Sequence, residues 1–196
     1  MTFPHAAFAL FAIAGSVTPG PNNLLVAAGA ARNGVRATLP HMAGIACGFS
    51  VMILLVGTGL AIPLAAFPLA QDGLRWLGAA WIGWIAWQVA TSPAPGEGPP
   101  RPAMSFLAAA MFQWVNPKAW MLALGMITAW SRPGQPMLPQ FLEMAVIFGL
   151  VGIPSNLVWA ILGEQAGRFL RSPRHIRAFN VTMAILLVVS MVPVLF

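Results

Sequence analysis

Charge is what this sequence has least of. Its 196 residues include ten Lys and Arg and four Asp and Glu, 7% charged in all, where an ordinary soluble domain carries about 25%. So few charges cannot cover the surface of a soluble protein of this size, and with 59% hydrophobic residues the chain is expected to present apolar surface to lipid. Cysteine is nearly absent: Cys47 stands alone, so no internal disulfide can form. No Lys or Arg precedes Arg32, so the start lacks the basic segment of a signal peptide, and residues 1–31 read as a retained first span. Acids are missing from the middle of every apolar run. Asp72, Glu143 and Glu164 lie near run ends and Glu97 lies in the central loop, which argues against a divalent-cation carrier that needs carboxylate ligands.

Other classes fall for similar reasons. A membrane enzyme needs a nucleophile with a base, a metal cluster or paired acids, and none stands out. His5, His41 and His175 have no ligand spacing, although His41, at the mouth of the second run, is a candidate proton relay. No cofactor is implied. The net charge of +6 comes from short basic clusters between apolar runs rather than a basic face, so no nucleic-acid partner is expected.

What is present is a series of apolar runs. A helix needs about 20 such residues to cross a bilayer core of ~30 Å. Six runs qualify, at roughly 3–31, 39–64, 69–91, 105–130, 138–163 and 177–196. The expectation is an all-α integral membrane protein, one transmembrane domain over 1–196. Runs two and three meet at Pro63–Pro68, and a Pro/Gly-rich linker at 92–104 separates two three-helix halves, 1–91 and 105–196. Arg32, Arg36, Arg101, Arg168, Arg171, Arg174 and Arg177 follow runs one, three and five, against Arg75 and Arg132 on the other side. The positive-inside rule then puts both termini outside. Trp76 and Trp130 suit an interfacial belt, Trp81, Trp84 and Trp87 read as a packing stripe, and Gly44 and Gly48 read as a helix-packing pair.

Two interruptions carry the functional reading. Run one contains Thr18-Pro19-Gly20-Pro21-Asn22-Asn23, and run four contains Asn116-Pro117-Lys118. Proline removes a helix hydrogen bond and clashes with the preceding turn, and freed backbone groups survive in a membrane only against protein or a wet cavity. Aligning Pro21 with Pro117 gives an offset of 96 residues, close to half the chain. Each half is then a broken span followed by two continuous ones, an inverted-topology repeat whose broken helices mark a midplane site. Gly20-Pro21 and Asn116-Pro117 both fit the cap and first position of a new half-helix. Two positive helix ends and Lys118, too deep to snorkel out, favour an anionic guest such as a carboxylate. A structural Lys118, bonded to carbonyls exposed by the other break, is the plainer alternative. Carbonyls near Val17, Thr18 and Trp114, with side-chain oxygens of Asn22, Asn23 and Asn156, are candidate acceptors for an ammonium. The candidate binding residues are Thr18, Pro19, Gly20, Pro21, Asn22, Asn116, Pro117, Lys118 and Asn156. An ion exporter of related architecture, wanting central acids, or a non-transporting scaffold, needing no matched breaks, are the rival readings.

The chain resembles the LysE/RhtB family of amino-acid exporters. The likeness runs through Thr18-Pro19-Gly20-Pro21-Asn22, Arg32-Asn33-Gly34, Gly44 and Gly48, Leu74-Arg75-Trp76-Leu77-Gly78-Ala79-Ala80, and Asn116-Pro117-Lys118-Ala119. That resemblance implies six helices in the inner membrane, export of amino acids or related metabolites driven by the proton gradient, and a homodimer.

Overall fold

A computed structural model describes residues 4–60, 67–93, 102–132, 134–170 and 172–192. The Pro63–Pro68 turn and the 92–104 linker therefore lie largely outside the described residues. Every regular element among the described residues is helical. In chain order these are α1 (His5–Val17), α2 (Pro21–Leu55, continuing as a π turn over Val56–Leu60), α3 (Pro68–Ala90), α4 (Phe106–Phe112, followed by a 3-10 turn over Gln113–Val115), α5 (Pro117–Trp130), α6 (Met137–Phe169) and α7 (Pro173–Val189).

The loop expected between runs one and two is reduced to a single residue. Gly34 has φ 80° and ψ 163° inside α2, a backbone state open to glycine and strained for other residues. It divides α2 into arms 21–33 and 35–55. A Cβ added at Gly29 falls 3.2 Å from Thr38 Cγ2, whereas nine residues of straight helix span ~13.5 Å. The two arms therefore double back on each other.

The longest packing runs along α2 and α6. Glycine sets the approach. Side chains at Gly44 and Gly48 would strike the α4 backbone at Phe106 and Ala110, and side chains at Gly163 and Gly167 would strike α2 at Ala27 and Ala31. Residues four apart share a helix face, so each pair forms a flat strip on which a neighbouring backbone lies. The Gly44–Gly48 packing reading thus holds, and Gly163–Gly167 is a second such strip.

Two hydrophobic clusters flank the breaks. One joins Phe8 and Ala12 of α1, Phe49, Met52 and Ile53 of the second α2 arm, Ala123 and Met126 of α5, and Phe141, Met144 and Phe148 of α6. Another joins Val26 and Ala30 of the first α2 arm, Met42 and Ile45 of the second, Ala109 of α4 and Ala160 of α6.

The outer surface is apolar. Leu10, Leu69, Leu107, Leu150 and Phe169 are each exposed by two thirds or more, an arrangement that water does not tolerate and lipid does. Trp81, Trp84 and Trp87 also face outward, with the Trp81 and Trp84 rings packed edge-on at 5.8 Å. The Trp130 ring, at the end of α5, packs edge-on against Phe8 near the start of α1 at 5.4 Å. Among the described residues, two helical stretches are long and apolar enough to cross a membrane, Pro21–Leu60 and Met137–Phe169, the first of them divided at Gly34. The breaks at 18–20 and 116 cut runs one and four into shorter pieces.

Candidate functional site

Both proline motifs end one helix and start another. After α1 the chain leaves helical geometry at Thr18, and Gly20, in extended backbone, caps α2 with Pro21 at its start. After the 3-10 turn, Asn116 caps α5 with Pro117 at its start. The two caps differ. Asn116 Oδ1 accepts from the Lys118 amide at 3.1 Å, which covers one of the N–H groups a helix start leaves open. Gly20 has no side chain to do this, so the first amides of α2, at Asn22 and Asn23, receive no side-chain cap.

Lys118 crosses from one break to the other. Its Nζ donates to the Thr18 carbonyl. A Cβ at Gly20 would fall 2.6 Å from Lys118 Cδ and 3.1 Å from Nζ. The lysine side chain, rather than the backbone angles, occupies the space a side chain at Gly20 would take, since φ is −173°. A cationic ammonium thus rests against the uncapped, positive end of α2.

Most backbone carbonyls freed by the breaks already have donors. Asn23 Nδ2 donates to Ser16 O at 2.8 Å and Thr18 O at 3.0 Å. Trp159 Nε1 donates to Val17 O at 3.3 Å, and Trp120 Nε1 to Trp114 O at 2.8 Å. Each carbonyl expected to receive an ammonium thus already accepts at least one bond from the protein. Buried backbone acceptors without partners are rare for the same reason.

A cavity of about 60 Å³ opens between the breaks, above the ~10–15 Å³ that a cavity needs to hold water. Of the sequence-nominated residues, Gly20, Asn22, Asn116, Lys118 and Asn156 line it. Pro21 and Pro117 are buried as helix starts, Pro19 is exposed, and Thr18 contributes its carbonyl. Pro154 sits inside α6 without ending it, and two residues on, Asn156 is 5% exposed in the cavity wall. Among the described residues, no acidic side chain lines the cavity and no cluster of three metal-ligating residues exists.

Two polar wall residues escaped sequence reasoning. Gln113 forms a reciprocal amide pair with Asn22, donating at 3.1 Å and accepting at 2.9 Å, and donates again to Ala109 O at 2.9 Å. It is 0% exposed. A glutamine in an apolar run is a usable signal; its partner, 91 residues away, is not legible locally. Ser16 is the other, its Oγ buried in the cavity wall with no hydrogen-bond partner among the described residues.

The family model described as LysE type translocator matches residues 13–194. The chain belongs to the LysE type translocator family. This member is therefore a membrane transporter and not an enzyme. It is similar to proteins named cysteine/O-acetylserine efflux protein from Escherichia coli (strain K12), Shigella flexneri and Shigella sonnei (strain Ss046), each 33% identical over 184 residues, with 93% of each chain covered. No solved structure matches it.

Proposed function

We propose that this translocator exports amino acids with small side chains, or closely related carboxylates, from the cytoplasm, and that the cavity between the two breaks holds the substrate. One observation carries the reading: the Lys118 ammonium lies beside the uncapped start of α2 in a cavity with no acid. Two positive elements side by side lack a counter-charge among the residues that line the cavity, and a substrate carboxylate supplies it. The open amides of Asn22 and Asn23 and the Lys118 Nζ bind the carboxylate. Ser16 Oγ and Asn156 are the uncommitted polar groups for the other end of the substrate. A short side chain is in keeping with relatives named for cysteine and O-acetylserine efflux.

The surrounding architecture is six spans arranged as two inverted three-helix repeats, 1–91 and 105–196, joined by the 92–104 linker in the cytoplasmic membrane, with both termini outside. The packing supports this. One cluster combines the first half of broken span one with the second half of broken span four, and the other combines the remaining two halves; both clusters use the spans that follow, two and five. Exchanging the two repeats end for end relates such a pair. Export proceeds by rocking the repeats about the breaks, driven by the proton gradient, in a homodimer.

The test is efflux of cysteine and O-acetylserine from loaded cells. Lys118→Ala is expected to abolish export with its membrane level close to wild type. Normal export by that variant removes Lys118 and the break cavity from the mechanism.

A further inference from the structure

Helix α6 gives one face to the break cavity, made of Phe148, Gly149, Gly152 and Asn156. Residues three and four apart on a helix point the same way, so a side chain at position 152 would stand in the middle of this face, toward the cavity. Glycine leaves that space open. A Cβ at Gly152 meets no described atom within 4 Å, and one at Gly149 meets only Ser50 Oγ, at 3.7 Å.

The two ends of this face differ in chemistry. Phe148 closes the apolar end. A Cβ at Gly15 would fall 2.8 Å from Leu122 Cδ2 and 3.7 Å from Phe148 Cζ, and the Phe148 ring packs edge-on against Phe49 at 4.7 Å. Leu122 stands one turn along α5 from Lys118, or ~6 Å. Asn156 forms the polar end. It is 5% exposed, and its side-chain amide makes no hydrogen bond among the described residues. The other asparagines of the cavity wall, Asn22, Asn23 and Asn116, each bond within the protein. An amide carries two donors and an acceptor, and a buried one left unpaired calls for a partner. Three residues on, Trp159 bonds the Val17 carbonyl, next to the Thr18 carbonyl that holds Lys118. This turn of α6 therefore adjoins the break.

We propose that the Gly152–Asn156 face of α6 is the side-chain subsite of the exporter: the space before Gly152 admits the substrate side chain, and the Asn156 amide hydrogen-bonds its polar end. This deepens the exporter reading and rests on it. The protein then selects short polar side chains over hydrocarbon ones of the same shape. A hydroxyl, thiol or ester bonds Asn156, whereas a hydrocarbon covers the amide and returns nothing. Sites built this way discriminate more strongly than a pocket that senses one methylene. Ser16 Oγ is left to accept from the substrate's ammonium.

The experiment measures exchange by the full chain in proteoliposomes. The substrates are O-acetyl-L-serine, L-serine and L-homoleucine, whose branched hydrocarbon side chain copies the shape of the acetylated one without its oxygens. Wild type is expected to exchange O-acetyl-L-serine about tenfold or more faster than L-homoleucine. Asn156→Leu is expected to bring these two rates together. Gly152→Val is expected to exclude both long side chains and to keep L-serine. Asn156→Ala and Gly152→Ala, with the same expected directions, replace the larger substitutions where those fail to accumulate. Ratios between substrates are the readout, because a variant that is merely less stable lowers all rates alike. A ratio unchanged by Asn156→Leu, or L-serine lost in step with O-acetyl-L-serine in Gly152→Val, overturns the side-chain subsite alone. Wild-type vesicles that exchange none of the three remove the exporter reading, and the subsite with it.

Discussion

Replacing Gly20 by Ala adds one methyl group at the point where the two breaks meet, and its consequence can be worked through. The backbone at Gly20 is extended, so alanine fits it without strain. The added carbon falls 2.6 Å from Lys118 Cδ, 3.4 Å from Cε and 3.1 Å from Nζ, where carbon atoms prefer ~3.5–4.0 Å. Overpacking of this kind costs roughly 1–3 kcal/mol. The low end applies, because a lysine side chain can swing aside. Doing so takes its ammonium off the Thr18 carbonyl, which keeps its second donor, Asn23. Gly20→Ala is therefore expected to lower stability by about 1 kcal/mol in the wild-type background and by close to nothing in Lys118→Ala, a coupling worth roughly fivefold in the unfolding equilibrium. It is also expected to reduce export strongly while the protein still reaches the membrane. Denaturation midpoints of the four proteins in the cycle, with efflux by each, make the measurement. Equal stability losses in both backgrounds, or wild-type efflux by Gly20→Ala, would refute the contact between the breaks.

Other consequences follow from the same geometry. Asn22→Leu leaves the buried Gln113 amide with only its bond to Ala109 O, and Gln113→Leu removes the partner of part-buried Asn22, so each is expected to cost about 1–3 kcal/mol, the first more than the second, and the double substitution less than the sum of the two, read by the same denaturation cycle. Gly44→Val, Gly48→Val and Gly163→Val drive side chains into neighbouring backbone and are expected to remove the protein from the membrane fraction. Gly83→Ala, with nothing within 4 Å, is expected to accumulate normally.

Much of this architecture was legible from residue order. Pro19-Gly20-Pro21 and Asn116-Pro117 announced both helix breaks, because proline at a helix start acts locally and tertiary neighbours do not alter it. The rest depends on partners distant in sequence. Lys118 makes the bond to the opposite break that the plainer alternative foresaw, and that bond leaves its charge at the start of α2. The carbonyls near the breaks looked open to a substrate because nothing in the sequence reveals that indoles at Trp120 and Trp159 fold onto them. Gln113 was overlooked for the same reason. Trp81, Trp84 and Trp87 share a face by spacing, but whether that face looks inward is set by the helices around it, and here it looks outward. Gly34 illustrates the reverse limit: Arg32-Asn33-Gly34 read as a loop, and one positive φ makes the whole turn.

The central claim is that the meeting point of the breaks recognises a carboxylate. Counterflow in proteoliposomes tests it most directly, comparing O-acetyl-L-serine with O-acetylethanolamine, which keeps the ammonium and the ester but lacks the carboxylate. The account predicts exchange of the first, none of the second, and loss of the first in Lys118→Met. Exchange of both compounds at similar rates, or undiminished exchange by Lys118→Met, would contradict it.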